Sequence, residues 1–522
     1  MHAPVSESPV SESPTFDSPL PDTDSPDIPT PESESAKRVF DRASGFTSSL
    51  CTSDASDRIA KIHTFITVLK KHRSQIRQAG ALERGAASLE MDGELMVLKF
   101  EADHICKHLS EWMSPKYAPP SLMTLGKKCY TLYEPKGVVL VLPSWNAPFA
   151  ISLLPTLGAI AAGNSVVLKP SELAPHSSAL LARIIQEAFP NGEVSVLEGG
   201  IETAQSLLAC PFNHIFYIGN NRVGRLIMKA AADHFASVTL EMGGKNPSIV
   251  TASADIADAA LKTAWGRNAN AGQVCICPDY VLVENSVADE FCNALVKEIP
   301  QLFDSEGHGF EYNPLFPKII NLRHFERIRE LIEDARAKGA TVLCGGHYRA
   351  EERYIAPTIL SDVTDDMKIM QEEVFGPVLL IKRWQQRDEV IREIRSRGKP
   401  LALYIFASER EEIDFFIRNT SAGGTVINHN MIQSGTNPYL GFGGVNSSGM
   451  GRLVGWHSFN EASNARTIVE EGPAVIDPRA MLPPFPEKME GVMTRLIEGK
   501  PIPGIVVYAL NYVVRFLGLF KR

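Results

Sequence analysis

Polar and apolar positions divide the chain into distinct stretches. Residues 1–36 contain no apolar run: Pro, Ser, Asp and Glu dominate, Pro-Val-Ser-Glu-Ser occurs twice from Pro4, and eight acids precede the first base, Lys37. Such a segment buries too little apolar surface to offset the entropy of ordering it, so residues 1–38 are expected to be a disordered acidic tail. From about Val39 to Met113 the spacing is helical. Ile59, Ile62, Phe65, Ile66 and Leu69 recur on one face, and Lys70, Lys71, His72 and Arg73 close that helix with the charge its C-terminal dipole favours. A short strand-like piece, Lys128 to Pro135, leads into the run Gly137-Val138-Val139-Leu140-Val141-Leu142, and Ser165-Val166-Val167-Leu168 follows. Continuous Val/Ile/Leu runs alternating with helical patterns predict buried, mostly parallel strands and an α/β fold.

The chain ends in an apolar segment, Ile505 to Phe520, followed by Lys521 and Arg522. As a helix it would span about 24 Å, short of the roughly 30 Å hydrocarbon core. Gly504, Tyr508, Asn511, Arg515, Gly518 and Arg522 recur at steps of four and three and form one thin polar stripe. That pattern predicts a membrane-associated helix over 503–522, lying in the interface rather than spanning it. The alternative is a helix packed on the protein's own core or on a dimer partner.

The chain has 522 residues, 44% of them hydrophobic, and a formal net charge of −9. This length allows roughly two or three domains with a large core. An acidic balance with scattered Lys and Arg excludes nucleic acid as the main partner. Of the cysteines only Cys275 and Cys277 are close in sequence, and no Cys-x-x-Cys or Cys/His cluster points to a metal, so free thiols in a reducing compartment are expected. The first 36 residues offer no apolar core for a signal peptide.

Two segments carry chemistry. Gly272-Gln273-Val274-Cys275 presents a thiol on a tight, Gly-containing segment, and Glu241-Met242-Gly243-Gly244-Lys245 presents a carboxylate followed at once by glycines. A thiol nucleophile with a general base is the minimum set for covalent chemistry on a carbonyl. Here the sequence resembles the NAD(P)-dependent aldehyde dehydrogenase superfamily, and four further segments repeat the resemblance in order. Pro143-Ser144-Trp145-Asn146-Ala147-Pro148-Phe149 resembles the loop whose asparagine amide serves the oxyanion hole, with Asn146 at that position; otherwise Asn146 would cap a helix. Gly163 to Glu172 resembles the grip on the adenosine ribose, and Lys169 and Glu172 match the residues that hold its hydroxyls. A carboxylate there suits the free 2′-OH of NAD, with NADP as the other cofactor related enzymes accept. The chain has no Gly-x-Gly-x-x-Gly; Gly219 and Gly224 match the family's Gly-x-x-x-x-Gly turn instead, with Ile218 and Asn220 where Thr and Ser are usual. Gln371 to Pro377 resembles the nicotinamide-side segment, implying Glu373 on the nicotinamide ribose and Phe375 beside the ring.

The resemblance covers about Val39 to Val469. It implies Cys275 as nucleophile and Glu241 as base for hydrolysis of the thioester. Cys277, two residues on, is expected to face elsewhere in an extended segment, as a small buried residue. The resemblance also implies a Rossmann-like cofactor domain (39–113 and 136–241), an α/β catalytic domain (242–460) and a small β-hairpin oligomerisation element (114–135 and 461–490), making a homodimer. Ile276-Cys277-Pro278-Asp279-Tyr280 and Gly441 to Gly451 resemble the class 3 branch, whose fatty-aldehyde members carry an apolar tail. The expected substrate is therefore a long hydrophobic aldehyde, either a fatty aldehyde or an apocarotenal such as beta-apo-4'-carotenal, met at the cytoplasmic face of an intracellular membrane. The competing readings are a CoA-acylating enzyme, which generally lacks a base at the Glu241 position, and a silent binding protein on the same fold. The presence of Cys275, Glu241, Asn146, Lys169 and Glu373 together argues against the latter.

Overall fold

The computed structural model describes residues 30–119, 121, 124, 127–313, 316–433, 437–471, 483–484 and 487–500. The membrane-associated helix expected over 503–522 lies outside the described residues, as does the tail up to residue 29. Among the described residues no helix is long and apolar enough to cross a membrane. The chain divides into two compact units, one built from the described residues up to Ser110 with Pro135–Ser463, the other from Glu111–Glu134 with the described residues from Asn464 onward.

The first helix, Pro31–Ser44, starts inside the stretch expected to be disordered and corrects that boundary. Thr30 caps it, its hydroxyl accepting the Ser33 N–H at 3.1 Å. Pro31 fits the first turn, and Glu32 and Glu34 face the positive end of the helix dipole. Ala36 and Ala43 are buried, and Phe40 meets Phe212 edge-on with ring centroids 5.0 Å apart. The acids that make this segment look merely soluble are the residues a helix N-terminus favours. In the next long helix, Ala55–Lys71, Asp54 and Asp57 close a capping box, and Ile62, Phe65, Ile66 and Leu69 are buried. Lys71 and His72 at its end both reach Glu187, at 2.7 and 2.9 Å.

Two sheets carry the larger unit. The first has six strands in the order Gly449–Met450, Ser237–Met242, His214–Gly219, Val138–Leu142, Ser165–Leu168, Val194–Val196. All pairs are parallel except the Gly449–Met450 edge. The chain enters at Val138–Leu142, steps outward on one side, then returns to build the other. The order therefore reverses between Leu142 and Gly219, the topological switch point at which open α/β sheets form a crevice. Val138–Leu142 and Ser165–Leu168 are buried throughout, as their unbroken apolar runs require. The second sheet has seven strands, in the order Thr341–Cys344, Thr358–Ser361, Val378–Trp384, Tyr280–Glu284, Pro247–Val250, Ala402–Phe406, Gly424–Ile427. It is parallel apart from its Thr341–Cys344 edge. This is an α/β fold with a Rossmann-like cofactor half and an α/β catalytic half.

In the smaller unit, Lys116–Tyr117 pairs antiparallel with Lys128–Pro135, and Ser463–Glu470 adds a third strand. Tyr130 Oη donates to Glu470 Oε1 at 2.7 Å, and Asn464 Nδ2 to Glu134 Oε1 at 2.8 Å. A helix, Glu487–Ile497, follows.

Candidate active site

The expected site residues come from strand ends. Val138–Leu142 delivers Trp145 and Asn146, both buried. Asn146 does not cap the following helix, Ala150–Ala162, whose N-cap is Phe149. That helix start is satisfied by Glu94, whose Oε2 accepts the N–H groups of Phe149 and Ala150 at 2.9 and 2.8 Å. Ser165–Leu168 ends at Lys169, whose side chain is only 7% exposed and whose Nζ lies 2.9 Å from Glu172 Oε2. A lysine so enclosed is not a solvated surface residue. His214–Gly219 turns into the helix Asn221–Asp233, and Asn220 caps it by accepting the Val223 N–H at 3.0 Å. Asn in place of the usual Ser keeps the cap. A Cβ on Gly219 would overlap the Tyr217 hydroxyl, and one on Gly224 the Met242 sulfur, so a side chain at either position would displace its neighbour.

Glu241, near the end of Ser237–Met242, is 4% exposed, and its Oε1 has no hydrogen-bond partner among the described residues. Burial pushes its carboxyl up to about 8, with Arg452 opposing. Cys275 stands in a turn closed by the Cys277 N–H donating to Val274 O at 3.0 Å, where an extended segment was expected. The turn separates the two thiols. Cys275 is partly exposed, whereas Cys277 is 2% exposed with its sulfur 3.9 Å from that of Met431. The Cys275 thiol is held well above its usual range, first by its enclosed setting and then by the carboxyls of Glu241 and Glu373. Residues from three distant segments therefore act on one sulfur.

Glu373 occupies the space above Gly243, where a Cβ would overlap its carboxylate. Gly243 therefore makes room for Glu373. Part of the Glu373 surface stays open, yet its enclosed setting and the neighbouring Asp279 push the carboxyl up to about 8. Phe375 meets Trp145 edge-on at 5.6 Å.

Several residues that hold these groups escaped the sequence reading. Asn246 Nδ2 donates to the carbonyls of Cys275 (2.8 Å) and Cys277 (3.0 Å), and its Oδ1 accepts the Ala402 N–H at 2.9 Å. Asp279 binds Lys245 at 2.7 Å and Arg267 at 3.1 Å, and accepts the Val374 N–H at 3.2 Å. This joins the thiol segment to the Glu373 segment. Gln273, fully buried, donates to Asn270 O and Lys318 O and accepts the Ile320 N–H. Gly272 has φ +72°, and a Cβ there would overlap Gly376 O, so only glycine fits. The glycine and glutamine of the motif were legible; the asparagines are ordinary residues until folding shows what they touch.

Known proteins resemble the chain in sequence and in fold. The family model described as "Aldehyde dehydrogenase family" matches residues 11–468. The chain is 37% identical over 440 residues to a putative aldehyde dehydrogenase AldX of Bacillus subtilis, covering 83% of this chain and 97% of that one. It is 36% identical over 455 residues to 4,4'-diaponeurosporen-aldehyde dehydrogenase of Staphylococcus aureus, covering 87% and 97%. Aldehyde dehydrogenase family 3 member A2 of Pongo abelii is 40% identical over 377 residues, covering 72% and 75%. Among solved structures, the substrate-bound state of Staphylococcus aureus AldH superimposes with a TM-score of 0.83 at 35% identity, covering 88% of this chain and 99% of that one.

Proposed function

The chain belongs to the aldehyde dehydrogenase family, an oxidoreductase acting on aldehydes, and on that footing we propose that it oxidises long apolar aldehydes, fatty aldehydes or apocarotenals, to carboxylic acids. One observation carries the reading of the site: the partly exposed Cys275 thiol faces two enclosed carboxyls, Glu241 and Glu373, both held near pH 8. The relative named for diaponeurosporen-aldehyde supports the substrate class, as does the apolar segment 505–520, which we read as holding the protein at a membrane surface.

The family's cofactor is NAD or NADP, and the residues present fit a dinucleotide. The crevice at the switch point is flanked by a helix N-terminus at Asn221, by the backbone of Gly219 and Gly224, and by an ammonium–carboxylate pair, Lys169–Glu172, suited to ribose hydroxyls. Glu172 favours NAD. Glu373 and Phe375 would hold the nicotinamide end. Bound there, the cofactor supplies the acceptor for the aldehyde hydride.

The chain's own residues supply the rest. Cys275 Sγ adds to the aldehyde carbon, forming a C–S bond, and the carbonyl pair moves onto oxygen. The thiol proton passes to Glu241 in its carboxylate form. The alkoxide is met by the Asn146 amide and the Cys275 N–H, and one such donor is worth about 3–4 kcal/mol. After oxidation Glu241 releases that proton to solvent, and as a carboxylate again it deprotonates the water that cleaves the acyl thioester. The smaller unit, by its pairing of 114–135 with 461–470, is our candidate for the homodimer contact.

The test is kcat/KM for NADH formation across acetaldehyde, medium-chain, long-chain and apocarotenoid aldehydes, with membranes or detergent present. Apolar substrates partition toward lipid by about 0.8 kcal/mol per buried CH₂, so efficiency should climb with chain length. A preference for acetaldehyde or charged semialdehydes would overturn the substrate assignment.

A further inference from the structure

An alkoxide pocket made by Asn146 and the Cys275 N–H has a structural problem. Its two donors sit on separate loops, and the donor geometry must hold to about 0.5 Å for the alkoxide to be stabilised. Among the described residues one hydrogen bond joins the loops directly. Asn270 Nδ2 donates to Asn146 O at 3.1 Å, and also to Gln273 O at 3.2 Å, two residues before the thiol. The Asn270 backbone is in the left-handed region, φ +49°, and its carbonyl accepts the Gln273 amide at 3.0 Å, so the residue is locked at both ends.

Beneath it lies a charge. Arg84, 2% exposed, donates its Nε to Asn270 Oδ1 at 2.7 Å. Its Nη2 lies 3.8 Å from Glu94 Oε1, while Glu94 Oε2 takes the two N–H groups that start the helix after Asn146. Arg84 thus fixes which way the Asn270 amide points: with Oδ1 committed to a guanidinium, Nδ2 must face the two carbonyls.

We propose that Asn270, oriented by Arg84, is a positioning residue that sets the spacing between the Asn146 amide and the Cys275 N–H during addition to the aldehyde. The inference rests on the reading that those two groups share the alkoxide. It assigns a buried arginine and a helix-capping glutamate, distant in sequence from the thiol, to the alignment of the alkoxide pocket.

The experiment is a double-mutant cycle on the full chain. Asn270→Asp keeps the acceptor toward Arg84 but replaces the donor toward the two carbonyls with an oxygen. Its kcat should fall about 10- to 100-fold, the cost of a misplacement near 1 Å, and hydrolysis of p-nitrophenyl acetate without cofactor should fall in parallel, because that reaction passes through the same oxyanion. KM for NAD should stay within about twofold, since uniform binding is untouched. In an Asn146→Ala background the same change should cost less than about threefold, because the group being positioned is gone. Equal losses in both backgrounds, or a single variant within threefold of wild type, overturn the proposal. Should Asn270→Asp fail to fold, Asn270→Gly, which suits φ +49°, runs the same cycle. If Asn146→Ala itself keeps full turnover, the alkoxide reading falls; if it loses turnover and Asn270→Asp does not, only the positioning role falls.

Discussion

Replacing Glu241 by Gln should make the protein more stable and less active, and the stability gain should depend on pH. Glu241 is almost fully buried, with one oxygen unpartnered, and its carboxyl rises from an ordinary 4.5 to about 8 on folding. A raised carboxyl value means that the folded chain holds a proton the unfolded chain releases. Its stability contribution is fully present below pH 4.5 and is lost as pH rises toward 8. With 1.36 kcal/mol per unit, the wild-type protein loses about 3 to 4 kcal/mol between pH 5 and pH 8 through this group alone. Gln carries no proton to lose. A buried unpaired amide costs about 1–3 kcal/mol, but that cost does not vary with pH and drops out of the difference. At about 2.1 cal/mol/K per residue, 522 residues give roughly 1 kcal/mol per degree. The Tm gap, variant minus wild type, should therefore widen by about 3 °C from pH 5 to pH 8. The assay is differential scanning calorimetry of both proteins at matched scan rate and concentration across that range. A gap that is flat with pH, or that narrows, would refute the claim that Glu241 is buried with a raised value. In the same variant, single-turnover kinetics should show one slowed burst of NADH and then a stalled acyl-enzyme, because the acceptor of the thiol proton and the deacylating base are lost together.

Cys275→Ala should abolish turnover while NAD still quenches the protein's fluorescence, and Cys277→Ala, in its buried place beside Met431, should retain most activity; an exchange of these results would move the nucleophile by two residues. Wild-type deacylation should rise about tenfold per pH unit below 8 and level above it, following the carboxylate fraction of Glu241, and a pH-independent rate would assign the base elsewhere. Gly243→Ala should fold, since the new Cβ meets only the movable end of Glu373, but should raise KM for NAD about tenfold by displacing that carboxylate; an unchanged KM would remove Glu373 from the cofactor site. Deleting Gly504 to Arg522 should release the protein from membranes and leave activity on short soluble aldehydes nearly intact, and continued sedimentation with membranes would show that the tail is not the anchor.

Local chemistry was legible in the sequence wherever a residue's role is set by its immediate neighbours. Unbroken apolar runs such as Val138–Leu142 require burial on both faces and so imply parallel strands under helices. Gly272 before Gln273 and Cys275, and paired glycines after Glu241, mark backbone that must pass close to something. The helix Pro31–Ser44 was not legible, because acids and prolines read as disorder until burial of Ala36 and Ala43 tips the balance. Neither was the enclosure of Lys169 and Glu241, nor the turn that exposes Cys275 and hides Cys277. Exposure depends on which distant segments cover a residue, and no local spacing encodes that. The same holds for Asn246, Asn270, Arg84 and Glu94. Each is an unremarkable polar residue along the chain, and each acquires its role from a hydrogen bond to a loop far away in sequence. Sequence alone determined which atoms could react. Tertiary structure decided which of them are buried, which carboxyls keep their protons, and what holds the reacting loops together, because long-range contacts arise only when the whole chain is folded.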